Sequence, residues 1–225
     1  MAHAYQVKSL QKTLAYILGC RPDEFGLILD DNGFAKISEL CKVLKEEGWS
    51  YVSEKDIVEA AVTDAERRFE LKEGKIRFTD IKGLEYGYFE KVVPPRLLFL
   101  GIKEEGYLSV LHRGLLPPRG QSYIYLFAEK TLAERVAKRR YERPVLLEVL
   151  ASEASQAGFE FFKVFPLIFA TYHVPKEYVK GPYVREEVLQ ASKPKPVKAL
   201  EPSFEVIRGK SWKEQAKKFR RKKML

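Results

Sequence analysis

Three short stretches carry the side chains best suited to gripping an anion: Cys20-Arg21-Pro22, Glu66-Arg67-Arg68-Phe69 and Lys138-Arg139-Arg140. A guanidinium presents its N–H donors in a planar fork that fits two oxygens of a phosphate or carboxylate. Several of them converging on one centre would stabilise a bound anion. Other chemistries find less support. His112 and His173 are far apart and no Ser/His/Asp spacing joins them, so both read as structural. Cys20 and Cys41 form no CxxC pair and no Cys/His cluster, which predicts two buried free thiols and no metal.

The elements that must hold these arginines can be read from hydrophobic spacing. Leu10, Leu14, Ile17 and Leu18 recur at helical intervals from Ser9, and Pro22 ends that helix because the residue before proline avoids helical angles. "FGLILDDNGFAKISELCKVLKEEG" predicts a short strand, an Asp-Asn-Gly turn and a helix capped by Ser38. "SEKDIVEAAVTD" predicts a further helix capped by Ser53. "RRFELKEGKIRFTD" alternates apolar and polar residues about Glu73-Gly74, the pattern of a hairpin. Three helices and a two-stranded wing make a winged helix, a module that often meets nucleic acid. After Pro94-Pro95, read as a hinge, the runs "RLLFLGI", "SYIYLFA", "PVLLEVL" and "LIFATYHV" predict a strand-rich lobe interrupted by helices near 107–114 and 130–140.

The expected organisation is therefore a lobe over 1–92, a second over 93–190, and a proline-spaced linker with a basic helix over 191–225. The chain carries a net charge of +9, of which residues 210–225 supply +7. Lys210, Lys213, Lys217, Lys218, Arg220, Arg221, Lys222 and Lys223 surround Trp212 and Phe219 in that segment, which points to nucleic-acid contact. No apolar run is long enough to span a membrane and no secretory cleavage pattern opens the chain, so a cytoplasmic protein with no membrane partner is expected.

The order of these pieces resembles the RNA 2'-phosphotransferase family, in which a winged-helix lobe precedes a lobe related to ADP-ribosyltransferases. The frame Leu10, Lys12, Leu14, Pro22, Gly26, Leu27, Leu29, Asp30 and Gly33 is similar to the family's opening motif, with Phe34 in place of a tryptophan. Arg68 and Ile76-Arg77 look like the family's stretch at the wing. Arg139 before Pro144-Val145 looks like its last catalytic arginine, and Val174-Pro175 with Tyr178 like its closing motif. The resemblance implies an α+β protein: an N-terminal winged-helix lobe, an ADP-ribosyltransferase-like β-rich lobe and a basic C-terminal extension. It also implies a reaction in which an internal 2'-phosphate of RNA attacks the nicotinamide-bearing ribose carbon of NAD. A ribose hydroxyl then attacks the phosphorus and frees the RNA.

Against that pattern, the family's Arg-His pair is met by Gly19 and Cys20, which supply no cation. Arg21 is adjacent, but one helical step turns a side chain by about 100°. The family's Tyr-His-Gly-Thr is met by Phe99-Leu100-Gly101-Ile102, its His-Val-His-Leu-Ser by Tyr123-Ile124-Tyr125-Leu126-Phe127, and its Gln-Gly-His-Ser by Asp80-Ile81-Lys82-Gly83. The resulting expectation is an RNA-binding, catalytically inactive homologue with no cofactor. It would be associated with a ribosome or another ribonucleoprotein and would contact ribosomal RNA or tRNA through Arg21, Arg68, Arg77, Arg139 and the tail. The alternative is an active NAD-dependent RNA 2'-phosphotransferase or related ADP-ribosyltransferase, with Arg68 and Arg139 catalytic and Gly101 at the NAD site. Arg68 and Arg139 are equally compatible with phosphate contact and with surface salt bridges.

Overall fold

The computed structural model describes residues 2–79 and 89–183. The segment Asp80-Ile81-Lys82-Gly83, the linker and the basic stretch from Lys210 to Lys223 lie outside the described residues. The remainder is a mixed α+β chain with a three-stranded and a seven-stranded sheet.

The N-terminal part is α1 (Ala2–Gly19), β1 (Ala35–Lys36), α2 (Ile37–Glu46), α3 (Glu54–Val62), β2 (Phe69–Lys72) and β3 (Lys75–Phe78). Leu10, Leu14, Ile17 and Leu18 are all buried, as helical spacing requires. The helix begins earlier than Ser9. β2 and β3 pair through Phe69↔Phe78 and Leu71↔Ile76, and Glu73-Gly74 turns the hairpin with φ of 49° and 73° at the two residues. Positive φ at both central positions matches the right-handed twist of the flanking strands. β1 adds to β3, giving the order β1-β3-β2.

Two local expectations fail because backbone groups find partners other than those that the local pattern suggests. The strand foreseen around Leu27–Leu29 is irregular. The Asp30 carboxylate accepts from the backbone N–H groups of Asn32 (3.1 Å) and Phe34 (2.9 Å) and so folds the chain into a local turn. Leu27 and Leu29 are buried all the same. Ser38 lies inside α2, whose N-cap position is Lys36; the N–H of Ile37 bonds instead to the carbonyl of Gly74 at the hairpin tip (3.0 Å). Ser53 does stand at the N-cap of α3, where the Asp56 carboxylate accepts from both its N–H (2.8 Å) and its hydroxyl (2.6 Å).

The larger sheet runs β10-β7-β5-β6-β9-β8-β4 with every pair antiparallel. Its strands are β4 (Glu90–Lys91), β5 (Leu98–Lys103), β6 (Ile124–Phe127), β7 (Pro144–Val149), β8 (Phe161–Phe165), β9 (Ile168–Thr171) and β10 (Val179–Lys180). The helices α4 (Tyr107–Arg113), α5 (Lys130–Arg140) and α6 (Ala151–Gln156) lie between them in sequence. Alternation along β5 separates two cores. Leu98, Leu100 and Ile102 join one cluster with Leu147, Val149 and Phe161, whereas Phe99 joins the N-terminal core together with Phe127, Leu132 and Val136. The chain on either side of Pro94-Pro95 therefore shares a continuous core.

Gly101 is where α5 settles on β5. A Cβ there would lie 2.1 Å from the Ala137 Cβ, so any side chain would push the helix off the sheet. Gly101→Ala is expected to lower unfolding free energy by about 1–3 kcal/mol in urea denaturation. Ala137→Gly in the same chain should restore part of the loss. An unchanged midpoint for Gly101→Ala would contradict this packing.

Candidate anion site between helices α2 and α5

α5 buries Leu132, Ala133, Val136 and Ala137 and turns its arginines toward the N-terminal helices. Arg139 lies in its last turn with a side chain only 1% exposed. Its Nε donates to Glu46 Oε1 (3.0 Å), and its Nη2 donates to Glu46 Oε2 (2.7 Å) and to the carbonyl of Phe25 (3.0 Å). Nη1 is buried and has no hydrogen-bond partner among the described residues. An unsatisfied buried donor costs about 1–3 kcal/mol, and more on a charged group, so an acceptor arriving at Nη1 gains that amount. The neighbouring pairs reinforce the contact. Arg135 reaches Glu47 (3.1 Å) and the carbonyl of Glu24, Arg140 reaches Glu39 (2.5 Å), and Lys42 Nζ donates to the Arg139 carbonyl (3.4 Å). Of the adjacent arginines 139 and 140, the first is the inward one and the second is more exposed.

Arg68 immediately precedes β2 and is held by Asp64. Its backbone N–H (2.9 Å) and Nε (3.1 Å) donate to Asp64 Oδ2, its Nη2 donates to Oδ1 (2.6 Å), and Glu66 is a second ion-pair partner at 3.2 Å. The guanidinium lies 5.8 Å from the Phe69 ring centroid, and Phe69 packs edge-on against Phe78. Phe78 in turn abuts the end of α1, where a Cβ on Gly19 would come within 2.5 Å of its ring. Arg68, Phe69, Phe78 and Gly19 thus form one contiguous group. The ion pairs described for Arg139 go to a different carboxylate from those of Arg68.

The other arginines singled out are paired close to home. Arg21 binds Asp23 (3.1 Å) and Glu24 (2.9 Å), and the fully buried Asp23 also accepts from the N–H of Leu167 (3.2 Å), which ties this loop to the larger sheet. Arg77 Nε donates to Glu70 (2.8 Å), its Nη1 donates to the Asn32 carbonyl (3.1 Å), and its guanidinium sits 4.7 Å from the Phe34 ring centroid. Cys41 is buried as expected, but Cys20 is exposed because α1 ends at Gly19 and the next residue turns outward.

On the larger sheet Phe127 is core and Leu100 faces the opposite side from Gly101. Tyr123 and Tyr172 bring their hydroxyls within 3.4 Å. That contact, with burial, pushes the Tyr123 phenol up to about 12, and burial also raises Tyr125. Both hydroxyls are protonated at neutral pH and can donate. Glu46, Asp64 and Asp23, the carboxylates that orient these arginines, went unnoticed in the sequence. Acidic residues at helix ends and in turns carry no signal for a partner far along the chain.

The sequence matches the family described as RNA 2'-phosphotransferase, Tpt1 / KptA family, over residues 5–164. The chain belongs to that family. A protein of Acetivibrio thermocellus named "Probable RNA 2'-phosphotransferase" is 34% identical over 179 residues, covering 76% of this chain and 94% of the relative. One of the same name from Acaryochloris marina is 32% identical over 77% of this chain and 96% of its own length. "Probable RNA 2'-phosphotransferase 1" of Archaeoglobus fulgidus is 30% identical over 78% and 81%. These RNA 2'-phosphotransferase relatives overturn the expectation of a catalytically inactive, ribosome-associated RNA binder. Named transferases from distant organisms align along most of the chain and support the reading as an active enzyme. Among the described residues no helix is long and apolar enough to cross a membrane.

The Asp64–Arg68 pair has a pH signature. The Arg68 guanidinium, aided by the Arg68 backbone N–H, holds the Asp64 carboxyl below the usual carboxylate range. A depressed folded-state pKa gives stability that is fully present above the unfolded value of about 3.9 and is lost as pH falls through the folded value. Asp64→Asn should therefore destabilise at pH 7, by about 1.5–3 kcal/mol for hydrogen bonds to a charged group. The difference from the native chain should shrink in urea titrations below about pH 4. A difference independent of pH would contradict the assignment.

Proposed function

We propose that this chain is an NAD-dependent RNA 2'-phosphotransferase. It removes an internal 2'-phosphate from RNA in the cytoplasm. The observation that carries this reading is the buried Nη1 donor of Arg139. It lies in the segment that resembles the family's last catalytic arginine, and it lacks the acceptor that a phosphate oxygen would provide.

The N-terminal helices and β1–β3 are read as a winged-helix lobe over 1–92, and the seven-stranded sheet as an ADP-ribosyltransferase-like lobe over 93–190. The basic segment over 191–225 adds attraction for the RNA backbone, tRNA included. NAD is the co-substrate and supplies the nicotinamide-bearing ribose carbon that accepts the phosphate. Tyr123 and Tyr125 fit it chemically, as protonated phenols offering donors and π faces where the family carries histidines. Gly101 contributes on the same sheet by letting α5, with Arg139 at its end, pack close to β5.

The phosphate gathers negative charge as it reacts, and fixed N–H donors stabilise that charge without reorganising. Arg139 Nη1 and Arg68 supply such donors. Gly19 and Cys20 supply none from a cation, and the Phe78 ring covers the direction a side chain at position 19 would take. An arginine at that position consequently requires a smaller residue at 78.

Incubating the protein with NAD and an oligonucleotide bearing one internal 2'-phosphate is expected to yield the 2'-hydroxyl RNA only when NAD is present. RNA recovered unchanged would overturn the reading. Adding Gly19→Arg together with Phe78→Ala should raise kcat/KM about tenfold or more, the worth of one charge-assisted hydrogen bond. Gly19→Arg alone should be less stable than the pair of changes. A folded double variant with no gain would remove the role assigned to position 19.

A further inference from the structure

We infer that Glu46 is a positioning residue for Arg139, aiming one guanidinium nitrogen at the phosphate. This inference rests on the enzymatic reading above. The two carboxylate oxygens of Glu46 take Nε and Nη2 in the side-on fork that fits an arginine bidentately (3.0 and 2.7 Å), and the Phe25 carbonyl takes a second hydrogen of Nη2 (3.0 Å). With one edge of the planar group fixed, the position of Nη1 at its far end is fixed as well. Nη1 is the nitrogen left without an acceptor among the described residues. Glu46 closes α2, whose start is pinned to the hairpin tip through Ile37 N–H and Gly74 O, so the carboxylate sits on a rigid element.

Charge alone and aim make opposite predictions. A negative group beside a phosphate-binding cation weakens its hold, so simple removal of the Glu46 charge would tighten substrate binding. If Glu46 serves to aim Arg139, removing the fork lets the guanidinium swing, and a misplacement of about 1 Å can reduce turnover about 100-fold. Glu39, which pairs with the more exposed Arg140, provides the matched control because it belongs to the same helix contact without touching Arg139.

The test uses the full chain at saturating NAD and follows 2'-phosphate removal for Glu46→Gln, Arg139→Ala, the two combined, and Glu39→Ala. Affinity for the same oligonucleotide with and without its 2'-phosphate is measured in parallel. Glu46→Gln is expected to lower the melting temperature and, assayed well below it where the chain is folded, to lower kcat about 10- to 100-fold with a much smaller change in KM, and to add nothing to the kinetic loss once Arg139 is alanine. Glu39→Ala should leave kcat unchanged. Unaltered kcat in Glu46→Gln, or a loss that multiplies with that of Arg139→Ala, would overturn the inference. If Arg139→Ala turns over and binds like the native chain, the phosphate role of Arg139 itself falls. If the native chain binds without turnover, the enzymatic reading fails, and preference for the 2'-phosphorylated oligonucleotide still tests Glu46: a preference retained in Glu46→Gln overturns the aim.

Discussion

A guanidinium buried between two helices that are distant in sequence governs how the described residues are arranged. Taking Arg139 out of water carries a desolvation penalty of several kcal/mol, which is offset only by well-formed hydrogen bonds to an opposite charge. Glu46 supplies those bonds, the Phe25 carbonyl adds another, and Arg135 and Arg140 extend the contact on either side along α5. Breaking the pair would strand a charge in the interior, so α5 is held to α2. Because Gly101 lets α5 lie directly on β5, the same pair also fixes the hairpin lobe to the larger sheet. Asp23 strengthens this from the other side by accepting from Arg21 and from the N–H of Leu167.

Such a joint has a chemical consequence. Most of the arginine donors near it are already engaged by carboxylates or carbonyls, so they build the scaffold first. Arg139 is different because its fork is engaged along one edge while Nη1, at the other, is buried without an acceptor among the described residues. Under the proposed function, a reacting dianion is to be held without rearrangement of the protein's own dipoles, and a guanidinium fixed by a carboxylate on a helix is suited to that role. At the end of α1 the Phe78 ring packs against Gly19 and fills the space that a side chain there would take.

Much of the fold was legible because its determinants are local. The buried face of α1, the Ser53 cap and the Glu73-Gly74 hairpin each follow from spacing or turn chemistry within a few residues. The failures had local causes of another kind. Asp30 bonds its own loop and removes a strand, Gly74 takes over the capping that Ser38 was expected to perform, and the end of α1 at Gly19 turns Cys20 outward. The site was half legible. Arg68 and Arg139 could be picked out as candidates, and Arg139 could not be told from Arg140 until burial separated them. Glu46 lies 93 residues from Arg139, and nothing along the chain announces that pairing. The expectation of lost catalysis came from counting altered positions. That count omits the donors the rest of the fold still provides, and the named transferases that align with the chain overturned it.

The central claim, that Arg139 is held along one edge by Glu46 and takes a phosphate oxygen at its unpaired Nη1, can be read directly from its nitrogen resonances. Guanidinium ¹⁵N–¹H spectra recorded while titrating in an RNA oligonucleotide with one internal 2'-phosphate should show Arg139 Nη1 moving sharply downfield while Nε stays in place, with no such movement for the same RNA ending in a 2'-hydroxyl. Equal responses to both RNAs, or an Arg139 Nη1 signal indifferent to the phosphate, would contradict it.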